Sequence, residues 1–278
     1  PHPASRDRDV TVFVTGAGSG IGLHLARLAL ERGDRVAGFD LRIADDVGSE
    51  LRDRARSADR VWLRDAVDVR DTSAVASAFD DAVAQIGSPT LVINSAGIST
   101  NDLFATSSAE DFERTVAVNL FGSRNVAAAA LPHLRRGSRL ALIASLAGIT
   151  GGYTYAAYAA SKAGVIGLAR VLRLEWAPDG IGVSVICPPE ILTPMVEQYA
   201  TTMHPATRAL KDVAGTLPID EACREMVAQL DRGRFMVIPG RRARRAARMT
   251  RLLPEAVTTR IADRIVRRAL AEPPPTNL

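Results

Sequence analysis

The chain has 278 residues, 47% of them apolar and 24% charged, with a formal net charge of +4. These proportions exclude intrinsic disorder and collagen-like repeats, and no apolar run reaches the roughly 18–20 residues that a membrane-spanning helix needs. The charge is unevenly placed, because Arg234 to Arg268 holds eleven arginines against Glu255 and Asp263, which leaves the rest of the chain net acidic. In chain order, Val10–Thr15 reads as a first strand and Ile21–Arg32 as the helix behind it. Arg35–Phe39 reads as a second strand and Val61–Val67 as a third, followed by a helix from Thr72 to Ile86. Thr90–Ile93 is a fourth strand, and a long helix from Glu110 to Leu131 is ended by Pro132. Arg139–Ala144, Ile181–Ile186 and Phe235–Ile238 complete the strands, with a long helix at Tyr155–Trp176. Apolar strands alternating with helices predict an α/β fold with one parallel sheet of about seven strands covered by helices on both faces. Residues 1–240 are expected to form a single dinucleotide-binding and catalytic domain, and residues 241–278 a basic helical extension and tail.

Between the first strand and the first helix lies Thr15-Gly16-Ala17-Gly18-Ser19-Gly20-Ile21-Gly22. Glycines there allow a tight turn and let the backbone approach a pyrophosphate. The helix N-terminus adds free N–H groups and a partial positive charge. Such a turn can also be an ordinary strand–helix connection, but an acid about 20 residues on completes a dinucleotide fingerprint. That acid is Asp40, at the end of the second strand. Its carboxylate suits adenosine ribose hydroxyls and repels a 2′-phosphate, which favours NAD(H), while Arg42 nearby keeps NADP(H) open. The expected architecture is therefore a Rossmann-type doubly wound sheet.

The spacing of the glycines and the motifs that follow resemble the short-chain dehydrogenase/reductase family over roughly residues 10–240. Asp68-Val69 follows the third strand, Asn94-Ser95-Ala96-Gly97 the fourth, and Asn119 lies on the long helix. Ser145 ends the fifth strand, and Tyr158 and Lys162 stand four residues apart. The resemblance implies an NAD(P)-dependent enzyme acting on CH–OH groups, with Asn119, Ser145, Tyr158 and Lys162 as catalytic residues and no metal. It implies cofactor contacts from Gly16, Ser19, Gly20, Ile21, Gly22, Asp40 and Arg42, and from Asp68, which would meet the adenine amino group, and Val69. Asn94, Ala96, Gly97, Tyr158 and Lys162 are further implied cofactor contacts, with Lys162 holding the nicotinamide ribose, and Asn119 would serve a water-mediated proton relay behind Lys162. Asn94 has a second reading as a side-chain tie between strands.

The chemistry of the pair is readable from the residues themselves. Positions four apart share a helix face. An ammonium beside a phenol favours the phenolate, so Lys162 is expected to lower the Tyr158 pKa toward neutrality. Tyr158 could then pass a proton to or from a carbonyl oxygen that Ser145 polarises. Tyr153 and Tyr155 lack a lysine four residues on and read as pocket or packing residues.

The chain departs from the family at Pro188-Pro189-Glu190-Ile191-Leu192-Thr193. Pro188, Ile191 and Thr193 fit the family's nicotinamide-binding segment, but Pro189 replaces its glycine, which removes an N–H and positive φ. Glu190 is read as a solvated loop acid, with a substrate contact as the alternative. Pro194–Pro218 holds the place of a substrate lid and carries Met195, Val196, Tyr199, Met203, His204 and Leu210. Apolar, Met-rich surfaces adapt to apolar ligands, which suggests a hydrophobic small-molecule substrate.

The extension begins with a dense cluster from Arg241 to Arg251, and Pro254 suits the first turn of a helix. Val257, Ile261, Ile265 and Ala269 then recur every four residues among arginines, an amphipathic basic helix. It can pack on its own domain or on another subunit, lie on an anionic membrane surface, or bind an acidic protein or nucleic acid. The extension resembles that of family members that reduce long-chain keto-lipids, though no motif in it carries a substrate over. Aromatics at 5% leave few stacking platforms, so no nucleic acid is expected.

Cys187 and Cys223 cannot build a disulfide framework and suit a reducing compartment. The polar start of the chain lacks an apolar signal core, so a cytoplasmic, possible membrane-peripheral placement is expected. Family likeness implies a homodimer or homotetramer through the two long helices. A non-catalytic nucleotide-binding scaffold working through its basic tail is the alternative to an enzyme.

Overall fold

The computed structural model describes residues 10–193, 196 and 203–271. Pro1–Asp9, Met195, Tyr199 and the proline-rich segment Pro273–Pro275 lie outside the described residues. A seven-stranded sheet has the order β3-β2-β1-β4-β5-β6-β9, where β1 is Thr11–Thr15, β2 Arg35–Phe39, β3 Val61–Arg64 and β4 Leu91–Asn94. β5 is Arg139–Ile143, β6 Gly182–Ile186 and β9 Met236–Val237. The described residues divide into two compact units, one within 10–96, 122–141 and 172–183, the other within 97–121, 142–171 and 184–271.

In the first unit all five residues of β1 are buried, as a strand covered on both faces requires. β1 runs parallel to β2, pairing Thr11 with Arg35 through Thr15 with Phe39, and parallel to β4, pairing Thr15 with Asn94. Around them lie α1 (Gly20–Glu31), α2 (Asp45–Arg54), α3 (Thr72–Ile86) and α5 (Gly122–Ala130). Asp71 caps α3 by accepting hydrogen bonds from the Ser73 and Ala74 amides. Under the sheet, the Phe39 and Phe79 rings stack at 4.9 Å, and Phe13 meets Phe79 edge-on at 5.4 Å. All three phenylalanines are fully buried. Phe79→Ala should therefore lower the unfolding free energy by about 3–5 kcal/mol, the cost of lost transfer and a residual cavity. Urea denaturation checks this, and a loss below about 1 kcal/mol would contradict the packing described.

α2 escapes sequence reading because its inward face holds only Gly48 and Leu51. Ion pairs hold it instead: Glu50 bonds Arg27 at 2.5 Å and Arg54 at 2.7 Å, and Arg54 also reaches Glu31 at 2.9 Å. β3 ends at Arg64, short of the expected Val67, because Ala66 turns with φ of +55°.

The second unit contains α4 (Ala109–Val116), α6 (Ala147–Thr150), most of α7 (Ala156–Trp176), and the short parallel pair β7 (Glu190–Ile191) and β8 (Thr216–Leu217). It also holds α8 (Pro205–Ala214), α9 (Ile219–Asp231), α10 (Arg241–Leu252) and α11 (Glu255–Ala271). The expected unbroken helix Glu110–Leu131 is corrected by the structure. It is α4, a π turn at Ala117–Phe121, then α5 and a 3-10 turn at Leu131–His133. The wide turn is centred on Asn119, whose side chain is drawn to the backbone of Ile98, as described below. Within the extension, α11 matches the amphipathic helix expected after Pro254, while α10 is an additional helix whose buried residues are just Ala243 and Ala247. No helix among the described residues is long and apolar enough to cross a membrane.

Candidate active site

The first unit carries the glycine loop. Gly16 has φ of +71°, and a Cβ built on it would lie 2.7 Å from the Ala96 amide nitrogen. A Cβ on Gly22 would lie 2.0 Å from the Gly16 carbonyl oxygen. Neither position admits a side chain, so the backbone stays bare at Gly16 and at Gly22 in the first turn of α1, which begins at Gly20. Ser19 occupies the N-cap position in extended conformation, with no hydrogen bond from its side chain to the helix. Ile21 is half-buried behind the turn. The Asp40 carboxylate accepts from the Gly18 amide at 2.8 Å and from the Arg42 amide at 3.2 Å, which fixes it beside the loop. The Arg42 side chain is exposed.

Two expected cofactor residues have further partners within the protein. Both Asp68 oxygens accept from the Arg70 guanidinium, at 2.6–3.0 Å, and this pairing holds the Asp68 carboxyl below its usual range. Val69 is buried, and its carbonyl accepts from Asn125. The Asn94 side chain accepts from the Thr15 hydroxyl at 2.6 Å and donates to Ser123 at 2.8 Å. It ties β4 to β1 and to α5, so the strand-tie reading describes its side chain. Ala96 lies beside Gly16.

The second unit gathers Asn119, Ser145, Tyr158 and Lys162. Tyr158 and Lys162 are one turn apart on α7, with the Lys162 Nζ 5.6 Å from the centre of the Tyr158 ring. Lys162 is buried and donates to the Ile143 carbonyl at 2.9 Å. Asn119 is fully buried. Its Oδ1 accepts from the Ile98 amide, and its Nδ2 donates to the Ile98 carbonyl and to the Ser161 hydroxyl, each at 2.9 Å. Gly97 stands between these groups: a Cβ there would lie 3.0 Å from Asn119 Oδ1 and 3.2 Å from Lys162 Nζ. The Ser145 hydroxyl accepts from the Ala147 amide and hydrogen-bonds Tyr158.

The electrostatics correct one expectation. Burial pushes the Tyr158 phenol up to about 12, against the opposing pull of the Ser145 hydrogen bond. Burial also pushes the Lys162 ammonium down to about 8. The anticipated lowering of Tyr158 toward neutrality is absent, because desolvation outweighs the Ser145 hydrogen bond. Cys187, at the end of β6, is buried beside the pair, and its thiol is likewise pushed up to about 12.

The departure at Pro189 resolves simply. Pro188 and Pro189 are buried, and the Pro188 carbonyl accepts from the Leu146 amide at 2.9 Å. The chain then enters β7, where Ile191 is buried, and Thr193 follows, 9% exposed. Glu190 is not a solvated acid. Its side chain is 1% exposed and accepts from Arg208 at 2.8 Å, Lys211 at 2.5 Å and Thr216 at 2.8 Å. The pairing of β7 with β8 places it there, a contact that no local pattern discloses. Lys211 also sits over the Tyr155 ring at 5.2 Å, and Tyr155 meets Tyr158 at 5.5 Å. His204 caps α8, accepting at Nδ1 from the Ala206 amide, and packs on Tyr153 at 4.7 Å. Thr154 adopts φ of +65°, held by Asn101 and Thr207. A β-branched residue in that region stores strain of about 1–3 kcal/mol, here one residue before Tyr155.

Comparison with known proteins places these features in context. The short chain dehydrogenase family model matches residues 10–204. A 3-dehydrosphinganine reductase of Arabidopsis thaliana is 36% identical over 237 residues, 81% of this chain and 69% of its own length. The 2-(R)-hydroxypropyl-CoM dehydrogenase of Xanthobacter autotrophicus is 36% identical over 195 residues, 66% of this chain and 76% of that protein. In fold, a short chain dehydrogenase from Mycobacterium paratuberculosis bound to NAD resembles it with a TM-score of 0.77. That likeness covers 86% of this chain and 100% of the other, at 22% identity.

Proposed function

Because the chain belongs to the short-chain dehydrogenase/reductase family of oxidoreductases, we propose that it moves hydride between NAD(H) and an apolar secondary alcohol or ketone, with Tyr158 as its acid–base group. The observation that carries this reading is the cluster of half-buried Tyr158 and Ser145 with buried Lys162 and Asn119 in one unit.

The residues present fit a dinucleotide. The bare backbone at Gly16, Gly20 and Gly22 leaves α1 amides open to a pyrophosphate, with Ser19 and Ile21 flanking them. Asp40 would take the adenosine ribose hydroxyls, with Arg42 beside it, and Asp68, Val69, Asn94 and Ala96 would shape the adenosine side. Gly97, Lys162, Pro188, Ile191 and Thr193 would hold the nicotinamide end. When bound, the nicotinamide supplies or accepts the hydride.

The protein's own groups manage the proton. A phenol raised to about 12 is protonated at neutral pH, the state required to donate to a carbonyl oxygen during reduction. The Ser145 hydroxyl, anchored by the Ala147 amide, hydrogen-bonds the same oxygen and polarises it. Lys162, titrating near 8, carries a proton that can follow the one Tyr158 gives up. Asn119 fixes the Ile98 backbone and Ser161 beside that lysine, which suits a proton relay through water.

Preference for NAD(H) over NADP(H) rests on Asp40, whose charge opposes a 2′-phosphate. Asp40→Ser should shift the NADP/NAD affinity ratio by about ten- to hundredfold toward NADP. Fluorescence titration of both cofactors tests it, and an unchanged ratio would remove Asp40 as the determinant. An apolar substrate is supported by Leu192 and Phe104, 52% and 77% exposed in the second unit. Exposed Phe121 on the π turn, with Val171 and Leu174 on α7, supports self-association through the α4–α5 segment and α7.

A further inference from the structure

We propose that α10 and α11 form a docking surface for a bilayer bearing anionic headgroups. Helix α11 has seventeen residues and none is buried. It lies along α8, with half-buried Ala262, Ile265, Val266 and Ala269 on one side by helical spacing. Its other side carries Arg260, Arg264, Arg267 and Arg268 around a shared groove, with Asp263 the one acid in it. α10 buries Ala243 and Ala247 and turns Arg241, Arg245 and Arg248 outward. Among the described residues, Arg244 is paired to Glu225 and Arg267 to Asp263. The other eight arginines of the two helices greatly outnumber Glu255, the remaining acid on them.

Apolar side chains stand exposed among these charges. Leu252 is 78% exposed, Leu270 53%, Met249 47% and Ile261 41%. Met249 and Leu252 close α10, and Val257 opens α11 just past Pro254, so exposed apolar residues flank the elbow between the helices, with Arg248, Arg251 and Arg260 close by in sequence. Arginines reach headgroup phosphates while such residues enter the acyl boundary. A second copy would bring arginine against arginine across a two-fold contact, which is repulsive. A nucleic acid would have no stacking partner, since 241–271 contains no aromatic residue. A bilayer matches both the charge and the exposed leucines.

The placement also deepens the proposed reaction and, in that respect alone, rests on it. The basic helices pack on α8, whose Lys211 lies over Tyr155 beside Tyr158. Docking would therefore leave one helix layer between the bilayer and the candidate acid–base group, a short route for an amphipathic ketone.

The test is co-sedimentation of the full chain with vesicles of phosphatidylcholine, alone or with a third phosphatidylglycerol. The protein should pellet with the anionic vesicles at low salt and not with the neutral ones. Arg245→Gln/Arg248→Gln/Arg264→Gln should lower the partition coefficient about hundredfold, at about fivefold per arginine. Leu252→Asp should remove the binding that survives high salt. An unchanged unfolding midpoint shows that each variant is folded, and none of these measurements depends on turnover. Failure to pellet with anionic vesicles at low salt overturns the proposal. So does equal binding to neutral vesicles, displacement by equimolar duplex nucleic acid, or a loss of self-association in the arginine variant with vesicle binding intact.

Discussion

Tyr158→Phe is expected to reduce kcat by about 10²–10⁴-fold, the usual contribution of a positioned proton donor, while cofactor affinity stays within a few-fold. The substitution keeps the ring that packs on Tyr155 and lies beneath the Lys162 ammonium, so packing survives and only the proton is lost. In the intact enzyme the pH profile adds a second signature. With Lys162 pushed down to about 8, kcat/KM for carbonyl reduction should fall as pH rises through that region, because the lysine then loses the proton that follows the one from Tyr158. Lys162→Met should abolish this limb. Steady-state kinetics with isothermal titration of the cofactor checks both, and a Phe variant that turns over at the parental rate would remove Tyr158 from the chemistry.

Glu190→Gln is the second large effect. Burial pushes this carboxyl up, but Lys211, Thr216 and Arg208 together outweigh burial and hold it below its ordinary value of 4.5. A group shifted down stabilises the fold above its unfolded pKa and loses that contribution as pH falls through the folded value. The Glu190 contribution is therefore complete at neutral pH and disappears only in acid, below 4.5. Removing the charge strands Lys211, whose side chain is 17% exposed, while Arg208 at 40% remains partly solvated. The expected loss is about 2–4 kcal/mol, less than for a fully buried pair. Because Lys211 also rests on Tyr155, substrate KM should rise more than kcat falls. Urea unfolding at neutral and acid pH, with kinetics, measures this; a variant matching the parent in both would show that the cluster is idle.

The parts of the site legible in the sequence are those built from local geometry. A strand, a glycine turn and a helix within about twenty residues disclose the loop at Gly16–Gly22 and the acid at Asp40. The four-residue step from Tyr158 to Lys162 discloses a shared helix face. The Glu190 cluster has no such signature, since its partners lie 18–26 residues away and meet it through two-residue strands. The π turn at Asn119 is invisible to a helical period, because the sequence on either side remains helical. α10 lacks an apolar stripe, as two alanines suffice to seat it. The protonation of Tyr158 is not legible from its neighbour alone, because the desolvation that decides it exists only in the folded chain.

The most direct test of the hydride-transfer account uses NADH deuterated at the transferable nicotinamide position, with ketones graded by apolar chain length. Mass spectrometry of the products should find one deuterium on the carbinol carbon, formed in step with NADH consumed and faster for the longer apolar ketones. No deuterated alcohol from any ketone, despite saturable NADH binding, would contradict it.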